Sequence, residues 1–238
     1  MSLGEDYQAI VRQAVVGVQD VPEMLPLVLV QACVAMLPID GAGLSLTQEL
    51  RVPLSSTSEL VTRAERLQTT LGEGPCLSVA GRTEPLVADL GDLAAGWPVF
   101  HHELLRQTPF RSVASLPLVM PDGHTLGAVD LYSRDASAAA FAVVPEIGGD
   151  VAAQMATFLM ASTSWLGSAD DLAADESCAV TRRMNVWVAI GMVMERGVLT
   201  NVDALALLRA SAFSRDVSLD DLAEQLTTRK IGLDVLVG

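Results

Sequence analysis

Positive charge is what this chain of 238 residues has least of. It carries 15 basic residues against 29 acidic ones, a formal net charge of −14, and its only lysine is Lys230. That balance argues against a general nucleic-acid-binding surface. Cysteine is also scarce: Cys33, Cys76 and Cys178 are widely spaced and form no CxxC pair. The spacing argues against a disulfide framework or a zinc site and fits a reducing, cytoplasmic setting. No uninterrupted apolar run of about 18 residues occurs, so no membrane span is expected. Residues 1–20 read as an amphipathic, charged helix rather than a signal peptide.

What is present is apolar mass. Half the residues are hydrophobic and 18% are charged, enough to bury a core in one large or two modest domains. Helical patterns cover residues 6–19, 22–37, 58–71, 97–107 and 144–166. Strands are expected at 42–47, 52–57, 85–88, 112–119 and 126–132. Met120-Pro121-Asp122-Gly123 supplies the turn between the last two. Strands and helices mix without a regular βαβ repeat, so the expected fold class is α+β with a largely antiparallel sheet.

The C-terminal quarter differs from the rest. Residues 176–196 read as a helix halted by Gly197. A second helix begins at Thr200, with Asp203 three residues later in a variant capping box, and a third at Ser218 with Asp221. Leu205, Leu208 and Ala212 recur at helical spacing in one; Leu219, Leu222, Ala223 and Leu226 do so in the other. Helices this short must pack on each other, on the upstream domain or on a second copy. The acidity is also uneven: residues 1–175 hold 8 basic and 21 acidic residues, whereas residues 182–230 hold 7 and 6.

Four segments carry a family resemblance in the first 166 residues. They are Gly72-Glu73-Gly74-Pro75-Cys76-Leu77, Trp97-Pro98-Val99-Phe100, Leu116-Pro117-Leu118 and Leu126-Gly127-Ala128-Val129-Asp130-Leu131-Tyr132-Ser133. Together they resemble a GAF domain. The resemblance implies a six-stranded antiparallel sheet flanked by helices, with a small-molecule pocket on one sheet face in many relatives. Gly72, Gly74, Cys76 and Trp97 are the candidate pocket or motif residues.

The runs Val188–Arg196 (VAIGMVMER), Asp203–Arg209 (DALALLR) and Ser218–Ala223 (SLDDLA) resemble an ANTAR domain. That family binds hairpin RNA and controls transcription termination. The implied organisation is a sensory domain over residues 1–166, a hinge at 167–176 and an RNA-binding three-helix bundle over 177–238. The implied function is antitermination on hairpin leader transcripts. Candidate RNA contacts are Arg182, Arg183, Arg196, Arg209, Arg215, Arg229 and Lys230, with Arg182 and Arg196 expected on one helix face. Two features depart from the family pattern. Ile190 stands where many members carry Lys or Gln, and Asp220-Asp221 opens the third helix. They favour an alternative, a protein-interaction or dimerisation module that does not bind RNA.

The remaining residues have plainer readings. Ile147, Val151, Met155, Phe158, Leu159 and Trp165 form an apolar stripe that serves either a homodimer or the protein's own sheet. His101 and His102 are neighbours on a helix and point apart, and His124 lies in a hairpin, so neither metal nor haem is indicated. Trp97 and Trp187 read as core aromatics. Cys76 is more in keeping with a buried structural thiol than with the nucleophile of a methionine sulfoxide reductase, because no second cysteine is placed to resolve it. The chain is therefore expected not to be an enzyme.

Overall fold

The computed structural model describes residues 3–16, 24–47, 50–120, 122–161 and 179–236. The expected hinge, Cys178, Trp165 and Pro121 lie outside them.

Helices α1 (Leu3–Val16) and α2 (Leu25–Met36) precede strands β1 (Gly41–Thr47) and β2 (Arg51–Ser56). Then come α3 (Glu59–Leu71), the short α4 (Pro75–Ser78), β3 (Leu86–Ala88), α5 (Leu90–Gly96) and α6 (Pro98–Gln107). β4 (Ser112–Val119), β5 (Thr125–Ser133) and α7 (Val144–Ala161) complete the first unit. All strand pairs are antiparallel, in the order β2-β1-β5-β4-β3. The sheet thus has five strands among the described residues where the resemblance implies six. β3 is only three residues long, and Asp89 turns the chain straight into α5 as its N-cap.

Strict alternation along the strands divides the sheet into two faces. Ala42 and Leu44 of β1, Leu116 and Leu118 of β4, and Val129 and Leu131 of β5 face α1, α2 and α7 in one apolar core. Val151, Met155 and Leu159 of α7 are buried in that same core, so this part of the stripe packs on the protein's own sheet. The opposite phase of the strands presents Ser45, Ser115, Asp130 and Tyr132, each with no exposed surface. Helix α3 covers that polar face. It starts at the Ser58 cap and ends at Gly72, which takes a left-handed φ of 72°. Gly43 lets the helix come close: a Cβ there would stand 2.6 Å from the Glu65 carboxyl carbon.

Three further helices, α8 (Ala179–Gly197), α9 (Asn201–Ser214) and α10 (Leu219–Thr227), share a separate core. It joins Val186, Ile190 and Val193 to Leu208, Leu219 and Leu222, with Leu50 added from the strand region. The two expected caps are present: the Thr200 hydroxyl accepts the Asp203 amide at 3.2 Å, and the Ser218 hydroxyl accepts that of Asp221 at 3.1 Å. Ile190 is 3% exposed, so this position packs the core. The α8 end departs from expectation. Gly197 remains helical, and Val198 takes the left-handed backbone with φ 51° while 94% exposed.

Candidate functional site

Under α3, the polar sheet face is filled by a closed set of side chains. Arg51 enters from β2, Ser45 from β1, Ser115 from β4, Asp130 and Tyr132 from β5, and Glu65 and Gln68 from α3. The Arg51 guanidinium pairs with Glu65, reaches Asp130 Oδ2 at 3.0 Å and donates from Nε to Ser45 Oγ at 2.8 Å. Gln68 donates to Asp130 Oδ2 at 2.7 Å, and Ser115 donates to Asp130 Oδ1 at 2.5 Å. The Tyr132 hydroxyl lies 2.6 Å from Glu65 Oε1 and 3.4 Å from Asp130 Oδ2. Both carboxylates and the guanidinium are essentially removed from water.

Burial pushes the Glu65 carboxyl up to about 8, against the opposing pull of Arg51 and with Asp130 adding to the rise. The rise reflects the cost of taking two carboxyl groups out of water beside a single guanidinium.

The motif residues singled out in the sequence gather beside this cluster as scaffold. Gly74, at φ 140°, leaves room for Gln68, whose Oε1 accepts the Cys76 amide at 2.9 Å. Glu73 accepts the Phe100 amide at 2.6 Å in the first turn of α6, and Trp97 Nε1 donates to Ser78 Oγ at 3.1 Å. The Cys76 thiol is buried 3.6 Å from Ser45 Oγ. Burial raises its pKa well above the ordinary thiol value despite the nearby Arg51, so it stays a thiol rather than a nucleophilic thiolate. Burial likewise pushes Cys33 up to about 12.

Five of the seven basic candidates are engaged by groups of the protein itself. Arg182 pairs with Asp221, and Arg183, 3% exposed, pairs with Asp220 at 3.2 Å. Arg209 Nε donates to the Thr69 carbonyl at 3.2 Å, and its guanidinium lies over Gly72. Arg215 reaches the Val235 carbonyl at 3.3 Å, and Lys230 pairs with Glu224 at 3.3 Å. The Arg196 and Arg229 side chains make no hydrogen bond or ion pair among the described residues. Arg182 and Arg196 stand fourteen residues apart on α8, about 21 Å along its axis. Trp187 is not a core residue: it is 37% exposed and borders a surface cleft with Val202 and Leu205.

Sequence reading missed the Arg51 cluster. The available signal was Asp130, a charge in the middle of an apolar strand, in phase with Ser45 and Ser115 on neighbouring strands.

The family model of the GAF domain matches residues 19–155, more than half of the chain, and the protein belongs to that family. Similar solved structures include the GAF domain of a phosphoenolpyruvate-protein phosphotransferase from Coxiella burnetii. It shows 18% identity and a TM-score of 0.48, over 68% of this chain and 98% of that one. The type II free methionine-R-sulfoxide reductase of Thermoplasma acidophilum matches at 17% identity and TM-score 0.42, over 67% and 96%. The nlh2 GAF domain of A. aeolicus in an inactive state matches at 13% and 0.45, over 67% and 99%. No curated protein sequence matches the chain.

Proposed function

We propose that this protein is a signal-responsive regulator. Its GAF domain senses through the sheet face under α3, and its C-terminal helices act as an ANTAR-type unit that binds hairpin RNA to control transcription termination. The observation that carries the reading is the double use of α3. Glu65 and Gln68 belong to the buried cluster, while Thr69 and Thr70 hold the C-terminal helices through Arg209 and the Leu219 amide. A signal that rearranges the cluster shifts α3 and thereby the grip on α9 and α10. The RNA assignment rests on the ordered C-terminal motifs and their caps. In the docked arrangement Arg209 is engaged, so RNA binding belongs to a released state.

The test is a mobility shift of the full chain with a two-hairpin leader transcript at low and high salt. The reading expects binding that weakens as salt rises; no shift at low salt by either the full chain or a Thr70→Val variant, which loses the Leu219 contact, would refute it.

The Asp220–Arg183 and Asp221–Arg182 pairs favour a second reading, a protein-docking bundle. Both pairs lie within the C-terminal helices and survive release from α3. On that reading the same transcript stays unbound under all salt conditions.

A further inference from the structure

A cleft of about 180 Å³ opens where the β2 edge and α3 meet α8 and α10. Arg66 borders it from α3, Arg182 and Arg183 from α8, and Asp220 from α10. Arg183 and Asp220 are 3% and 5% exposed and share one contact, Nη2 to Oδ2. That contact leaves both unfinished: Arg183 Nε and Asp220 Oδ1 are buried without any hydrogen-bond partner. A buried charged donor or acceptor left unsatisfied is costly, and native structures rarely keep two on adjoining residues. Arg66, half-buried on the opposite wall, makes no side-chain hydrogen bond or ion pair among the described residues. It acts on Asp221 through space, but that carboxylate is already held by Arg182. Arg183 also lies in the repulsive field of Arg51 and Arg182, offset by Asp220.

The cleft is therefore bordered by Arg66 with its guanidinium short of acceptors, and directly beneath its wall lie a guanidinium nitrogen short of an acceptor and a carboxylate oxygen short of a donor. We propose that this cleft binds a protonated phosphate group, free or carried on a small ester. Its oxygens accept from Arg66 and, once the Arg183 and Asp220 side chains turn into the cleft, from Arg183 Nε, and its remaining O–H donates to Asp220 Oδ1. Arginine suits phosphate because its fork of donors matches the oxygens. The carboxylate adds selectivity, since a fully ionised oxyanion such as sulfate meets repulsion where phosphate donates a hydrogen bond. The ligand touches α3 on one side and α8 and α10 on the other, and so fastens the docked state. The site needs only that docked arrangement, whatever the helices recognise, so it stands or falls independently of RNA binding.

Calorimetric titration of the full chain with inorganic phosphate, sulfate and glycerol phosphate tests the assignment. Phosphate is expected to bind and raise the thermal midpoint, and sulfate to bind at least about tenfold more weakly, a gap of about 1.4 kcal/mol. Arg66→Gln is expected to weaken phosphate by about tenfold or more, and Asp220→Asn to narrow the gap to sulfate. Tighter glycerol phosphate identifies an ester as the ligand; equal or weaker binding identifies free phosphate. The assignment is overturned if phosphate does not bind, if sulfate binds equally well, or if Arg66→Gln, folded by circular dichroism, leaves affinity unchanged.

Discussion

Leu219 donates its backbone amide to the Thr70 hydroxyl at 3.0 Å in a buried contact. Leu219 is the first residue of α10, whose opening amides have no partner within the helix. The sensor domain thus completes the cap of a C-terminal helix, and the Ser218 hydroxyl satisfies the Asp221 amide in the same turn. Thr70→Val keeps the shape and removes the acceptor. It should cost about 1–3 kcal/mol of docking. Hydrogen exchange checks this: α10 amides should exchange faster while those of β4 and β5 stay protected.

Arg51 is the one cation contacting both buried carboxyls in the cluster. Arg51→Ala should destabilise the GAF unit by about 3–5 kcal/mol, because it leaves buried acids uncompensated. Arg51→Met, which fills the space, combined with Glu65→Gln and Asp130→Asn should recover much of that loss. Denaturant midpoints of the single and triple variants measure both effects.

The cluster also sets a pH dependence. Glu65 has a folded-state pKa of about 8 against an ordinary value of 4.5. Between those values the folded state holds a proton that the unfolded chain has lost. Stability from this group therefore falls as pH rises through that window. Glu65→Gln, which cannot ionise, should show a flatter decline in melting temperature from pH 5 to pH 8 than the parent chain.

Val198 holds a left-handed backbone that β-branched residues avoid. With 94% of its surface exposed, it has little packing to lose. Val198→Gly should stabilise the C-terminal helices by about 1 kcal/mol, read as a higher thermal midpoint.

The parts of the fold legible in the sequence are those set by neighbours along the chain. Ser58, Thr200 and Ser218 cap helices within three residues of themselves, and Gly72 and Gly74 take the positive φ that their turn requires. The cluster was not legible because its geometry is made by distant segments: Arg51 meets Glu65 14 positions away and Asp130 79 positions away. The strand alternation marks Asp130 as facing α3, but only the strand register sets it opposite Gly43 of β1 and Ser115 of β4, where Arg51 reaches it from β2. The engagement of the basic candidates was not legible for the opposite reason. Residue type marked them correctly as cations, while their partners, Asp220 and Asp221 on α10 and the Thr69 carbonyl on α3, are fixed by packing.

The measurement that bears most directly on the account is RNA affinity before and after undocking. The full chain and a Thr70→Val, Asp216→Ala variant, which loses the Leu219 and Arg106 contacts, would be titrated with a two-hairpin leader transcript at about 50 and about 200 mM salt. The account expects the variant to bind at least about tenfold more tightly, with affinity falling as salt rises. Equal affinity for the two chains, or no binding by either, would contradict it.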